Sequence, residues 1–244
     1  MHGFIATYLR ELLIMRHRFW RIIMSFSVSP LLYLIAFGLG MGRHMKVGGV
    51  SYVEFLIPGL VAMTSMTQGF GINVEINVAR FYLKVFEEFQ AAPITNFSYV
   101  CGEVAAGVTR ALLSAAVIVI IALIARLNLH FSPGFWFIAA LNATFFAALG
   151  VTSAMLIKNH ADQSLITNLV ITPMAFLGGT FFPIKNLPEW ARIPLEIIPL
   201  SHASKAIRQI ALGGAFSWTD AFLLFSLSGI AILLAWWSVD KARD

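Results

Sequence analysis

The residues best placed to do chemistry are polar ones set inside apolar runs. Glu75, with Asn73 and Asn77, closes one such run, and Glu103 opens the next, with Arg110 seven residues further on. Seven residues are about two helical turns, so Glu103 and Arg110 share one side of a helix. Ionised groups at membrane depth are costly unless they are paired. The pattern predicts an internal ion pair or a polar path, with Glu103 or Glu75 as the partner of Arg110. The two acids alone would also fit headgroup-level snorkelling. A second charged block is Lys84, Glu87 and Glu88 in YLKVFEEFQAAPIT (82–95). At helical spacing Phe81, Val85 and Phe89 lie together, apart from those charges. Ala91-Ala92-Pro93 ends the block, because the residue before proline disfavours helix.

No enzyme chemistry is legible. There is no phosphate-binding G-x-x-x-x-G-K-[ST], no G-x-S-x-G and no H-E-x-x-H. The histidines, His2, His17, His44, His130, His160 and His202, are scattered without ligand spacing. The single cysteine, Cys101, excludes an intrachain disulfide and a thiolate metal site.

The elements that must position these residues are set by composition. The chain has 244 residues, 59% of them hydrophobic and 12% charged. Soluble domains carry about 25% charged residues, so the solvent of this chain is mostly lipid. The net charge of +5 sits beside apolar runs. That favours lipid headgroups and topology control over nucleic acid, since no basic-aromatic surface is present.

The sequence predicts an all-α membrane protein, one transmembrane domain over 1–244. Six spans are expected, at 22–41, 55–72, 104–125, 135–157, 165–182 and 221–239. Pro173 and Gly178-Gly179 interrupt the fifth. Continuous rather than alternating apolar runs exclude a barrel. An interfacial helix is expected over 1–21, where Phe4, Ile5, Tyr8, Leu9, Leu12 and Leu13 form a stripe beside Arg10, Glu11, Arg18 and Arg21. The basic cluster before the first span puts both termini in the cytoplasm. On that topology 79–97 is a cytoplasmic helix with an apolar face in need of a partner. The segment 183–219, broken by Pro183, Pro188, Pro194 and Pro199, is an outer re-entrant hairpin of two short helices. In it Ser201 is the expected cap of a helix carrying Ala203, Ile207 and Ile210 on one side and Lys205 and Arg208 on another. Met63, Met66, Gln68 and Phe70 in the second span would suit an amphipathic cargo, or ordinary packing.

Three segments in this order resemble the type-2 ABC transporter permeases, the family of nodulation-factor, drug and polysaccharide exporters. They are FLIPGLVAMT (55–64), FEEFQAAPIT (86–95) and LGGTFFPIKNLPEWARIPLEIIPLSHASKAIR (177–208), the last containing PLSH with Pro199, Ser201 and His202. The likeness spans essentially the whole chain. It implies the membrane subunit of an exporter that pairs with a second permease copy and with nucleotide-binding ATPase subunits. ATP and magnesium would then sit on the partner, with no cofactor in this chain. The resemblance further implies that 86–95 is the coupling helix, with Phe86, Glu87, Glu88 and Phe89 as the ATPase contact and Pro93 at its end. The competing reading is a stand-alone secondary transporter. The absence of internal repetition between the first and last three spans speaks against it.

Overall fold

In lipid every backbone amide must be bonded within its own segment, so long apolar runs fold as helix. The computed structural model describes residues 2–41, 45–84, 93–157 and 159–242, and these are mostly helical. Helix α1 (His2–His17) is followed by α2 (Phe19–Tyr33), which runs on as a π-helical stretch, Leu34–Met41. A small hairpin pairs β1 (Lys46–Val47) with β2 (Val50–Ser51), turning on Gly48 and Gly49 at positive φ of 60° and 89°. Ser51 then starts α3 (Tyr52–Phe70) in a reciprocal capping box with Glu54. Through Gly71 the helix continues as α4 (Ile72–Asn77) and a π-helical turn, Val78–Tyr82.

Thr95 caps α5 (Asn96–Ile124), and α6 (Pro133–Leu156) begins with a proline in its first turn. One helical run then comprises α7 (His160–Ile166), a π-helical stretch Thr167–Ile171 and α8 (Thr172–Leu177). The proline-broken segment folds as α9 (Glu189–Ile197) and α10 (Pro199–Ala211). The last element, α11 (Trp218–Lys241), is capped by Ser217.

Among the described residues five helices are long and apolar enough to cross a membrane: Phe19–Gly38, Tyr52–Tyr82, Asn96–Ile124, Pro133–Leu156 and Trp218–Lys241. The run expected at 165–182 differs. Its helix begins earlier, at His160, takes in Asp162, Gln163 and Ser164, and ends where Gly178 and Gly179 turn the chain, Gly179 at a φ of 75°. The segment expected as a separate helix at 79–97 also differs at both ends. Its first residues to Tyr82 prolong the preceding helix, and Asn96 and Phe97 already belong to α5.

Part of the stripe on α1 is directed outward, with Ile5, Leu9, Leu12 and Leu13 exposed, whereas Phe4 and Tyr8 are half-buried. The opposite side, Thr7, Glu11 and Met15, is buried. It lies along the first half of α5: a Cβ on Gly102 would come within 2.7 Å of Thr7, and the Tyr8 hydroxyl lies 3.0 Å from that of Thr109.

Helix α3 is the centre of the bundle. In its most apolar window 83% of residues are buried, against 17% in α2 and 33% in α11. Small residues bring α3 against α6: a Cβ on Gly69 would meet the Ala143 carbonyl at 2.8 Å, and one on Gly150 the Phe70 carbonyl at 2.7 Å. Leu56, Leu60, Phe135 and Phe146 fill the space between them and are fully buried. Asn142, also fully buried, donates from Nδ2 to the Ala62 carbonyl at 3.0 Å and to Ser65 Oγ at 2.8 Å. Polar contacts between membrane helices are worth about 0.6 and up to about 1.7 kcal/mol. Asn142→Leu is expected to cost about 1 kcal/mol, read as a lower unfolding midpoint in detergent, because it removes both bonds and leaves Ser65 in an apolar wall.

Candidate functional site

At one end of the bundle α1, α4 and α5 bring their charges together. Arg110 of α5 donates from Nη1 to Glu75 Oε1 of α4 at 3.0 Å, their side chains 15% and 33% exposed. Of the two partners the sequence offered, the geometry pairs Arg110 with Glu75. Glu103, two turns earlier on α5, is 1% exposed and hydrogen-bonded to Tyr99. Its Oε2 has no hydrogen-bond partner among the described residues. Glu11 of α1 joins the group, 2.8 Å from its neighbour Arg10. Burial raises the Glu11 carboxyl above the ordinary range, and Arg10 offsets part of that. Asn73 is buried and accepts at its backbone carbonyl from Gln163 Nε2 at 3.1 Å, which ties α4 to α7.

A cavity of about 230 Å³ opens beside this cluster, with Arg18, Arg21, Gln68, Glu75 and Arg110 in its walls. Through Ser25, Phe26 and Gln68 it shares walls with a second cavity of about 260 Å³ between α2, α3 and α8. That second space is lined by Pro30, Tyr33, Met63, Thr64, Thr67 and Phe176. Beyond it Tyr33, Phe37, Phe176 and Phe181 form a ring cluster, with centroids 4.9 to 6.4 Å apart. The cleft therefore grades from charged to hydroxylated to aromatic. Of the four second-span residues named from sequence, Met63 and Gln68 line it, whereas Met66 and Phe70 are packed in the core.

At the opposite end the hairpin is fastened by α10. Pro199 sits in its first turn, with Ile198 at the cap position. Ser201 is not the cap: its hydroxyl donates back to the Leu195 carbonyl at 2.6 Å, closing the corner between α9 and α10. His202 Nδ1 lies 2.8 Å from Asp220 Oδ1, while Ser217 and Lys205 reach Oδ2 at 2.6 and 3.3 Å. The hydrogen bond to Asp220 raises His202 above the ordinary histidine range, against the opposing effect of burial. Among the described residues Arg208 has no carboxylate partner. It donates from Nε to the Phe55 carbonyl at 3.0 Å and from Nη2 to the Gly179 carbonyl at 2.8 Å, and lies 3.8 Å over the Phe55 ring. Burial lowers its pKa to about 10, which leaves it charged at neutral pH.

Phe86, Glu87, Glu88 and Phe89, the expected ATPase contact, lie outside the described residues, and Pro93 is exposed. Both flanks of that stretch are held. Arg80 donates from Nη1 to the carbonyls of Met155 and Ala154 at 2.7 and 3.1 Å, at the end of α6. Asn96 donates to Asp240 of α11 at 2.9 Å, and Ile94 packs on Gly3 of α1. From the sequence Arg208 is only a residue on the polar side of its helix, and the contacts of Asn142 are not legible. A side-chain amide inside a charge-free span was the available signal for Asn142. Asp220, in the first turn of α11 behind the Ser217 cap, gave none.

Helices of membrane length beside a polar-to-apolar cleft define a helical membrane protein. The chain belongs to the ABC-2 type transporter family, whose model matches residues 3–212. It is 34% identical over 194 residues to Nodulation protein J of Rhizobium meliloti (strain 1021), covering 76% of this chain and 72% of that protein. It is 28% identical over 206 residues to Inner membrane transport permease YadH of Escherichia coli (strain K12), covering 81% and 79%. Nodulation protein J of Neorhizobium galegae is 31% identical over 188 residues, covering 76% and 72%.

Proposed function

We propose that this chain is the membrane-spanning permease subunit of an ATP-driven exporter for an amphipathic, lipid-like, glycan or drug-like cargo. It works as a pair of permeases with a separate nucleotide-binding ATPase, which holds ATP and magnesium and does the hydrolysis. It resides in a bacterial inner membrane with both termini cytoplasmic, and the 160–177 run makes the sixth crossing. The observation that carries the reading is the graded cleft along α2, α3 and α8, joined to family membership. A second permease would cover α2, whose most apolar window is only 17% buried.

In this reading Phe86, Glu87, Glu88 and Phe89 meet the ATPase. Pro93 fixes the end of that contact, and Arg80, Ile94 and Asn96 pass its motion to α6, α1 and α11. The PLSH corner, with Pro199, Ser201 and His202, holds the outer end of the path. Aromatic anchors of an interface are worth at least about 2 kcal/mol each, or about thirtyfold in affinity. Glu87→Ala/Glu88→Ala/Phe89→Ala is therefore expected to abolish co-purification with the ATPase while leaving the unfolding midpoint of the permease unchanged. A complex that survives the triple substitution would sink the coupling assignment. A permease that transports with no ATPase present would favour the stand-alone reading.

A further inference from the structure

We infer that the cavity at the α1–α2 junction is a binding site for the anionic, phosphate-bearing headgroup of a membrane amphiphile. The inference deepens the permease reading by naming the charge of what enters the cleft, and it rests on that reading for the cleft being a cargo path. Three arginines, the exposed Arg18 and Arg21 and the more buried Arg110, line the cavity with two acidic residues, Glu11 and Glu75. Both carboxylates are already engaged, Glu11 by Arg10 at 2.8 Å and Glu75 by Arg110 at 3.0 Å. Among the described residues no carboxylate lies within ion-pair distance of Arg18 or Arg21. The buried Arg110 Nε has no acceptor among them either. The arginines lining the cavity thus outnumber its unengaged carboxylates, and guanidinium forks match phosphate oxygens.

Size and depth select the ligand further. A volume of about 230 Å³ is below the 300 to 1,000 Å³ common for whole drug-sized ligands, and suits a headgroup. Arg18 and Arg21 flank the start of the first span, with Trp20 76% exposed between them, which is the usual signature of headgroup level. Ile22 and Phe26 form the apolar part of the wall, and Phe26 continues into the second cavity, where a tail would lie. A free phosphate compound would use the arginines and leave this apolar continuation unused.

The test is native mass spectrometry of the purified permease with phosphatidylglycerol or zwitterionic phosphatidylcholine, and with glycerol 3-phosphate as competitor. Phosphatidylglycerol should be retained in preference. Arg18→Gln/Arg21→Gln should weaken it about fivefold per arginine, on the order of twentyfold together. Arg16→Gln, outside the cavity, should change little. Equal retention of both lipids by the parent, or undiminished phosphatidylglycerol binding by the double variant, would overturn the site. So would an equal loss in Arg16→Gln, which would mean diffuse surface attraction. Displacement by equimolar glycerol 3-phosphate would replace the amphiphile with a free phosphate compound and overturn the proposal as stated. ATPase co-purification of the same variants tests the permease reading separately.

Discussion

Replacing Arg208 by methionine is expected to lower the unfolding midpoint of the purified protein in detergent by roughly 10 °C. Methionine preserves much of the stem volume but offers no donor. The Phe55 and Gly179 carbonyls, now bonded at 3.0 and 2.8 Å, would be left without the guanidinium in a buried corner. An unsatisfied buried polar group costs about 1–3 kcal/mol, and loss of the stacking on Phe55 adds to this. A total near 3 kcal/mol corresponds to about 10 °C in a protein of this size. Arg208→Lys should recover only part of the loss, because a single ammonium cannot bond carbonyls on α3 and on the Gly179 turn in the fixed geometry of a fork. The same substitutions should loosen the hairpin, read as faster proteolysis between α9 and α10. A methionine variant that unfolds within about 2 °C of the parent would show that the hairpin is held by its apolar contacts alone.

The Arg110–Glu75 pair should give the second large effect. Removing one partner of a buried pair costs about 3–5 kcal/mol, because the other charge is stranded. Glu75 is 33% exposed, so solvent screens part of this and about 2 kcal/mol is expected for Arg110→Ala. Glu75→Gln/Arg110→Gln should be more stable than either single variant implies, with a coupling of about 1–2 kcal/mol in a double-mutant cycle. Glu103→Gln should add independently to Arg110→Ala, since Glu103 is bonded to Tyr99 and not to the arginine. Additive effects of the Glu75 and Arg110 substitutions would mean that the pair carries no energy. Cargo transport should fall in Arg110→Ala, because its guanidinium lies in the cleft wall.

Much of this arrangement was legible one residue at a time. The cost of a charge in an apolar run singled out Glu75, Glu103 and Arg110 without any structure. Four prolines marked the break into short helices, α9 and α10. Other features were not legible. Thr7, Glu11 and Met15 read as the side of α1 away from its apolar stripe, and their burial depends on α5 lying against them. The two acceptors of Asn142 lie on α3, far from it in sequence. Arg208 counted as one more surface cation, because nothing in an amphipathic pattern reveals that a neighbouring loop has turned its carbonyls toward a helix.

The sequence by itself determined that the solvent is lipid, that the chain crosses it as helices, and which residues are too polar to face it unpaired. Those are properties of composition and of local period, and each residue carries them alone. Only the tertiary structure decided that Arg110 takes Glu75, that Arg208 takes backbone carbonyls, and that Arg18 and Arg21 are left facing a cavity. Partner choice depends on distances between helices far apart in the chain, which are set by close contacts such as Gly69 on Ala143 and Gly150 on Phe70. A pattern along one helix contains no measure of those distances.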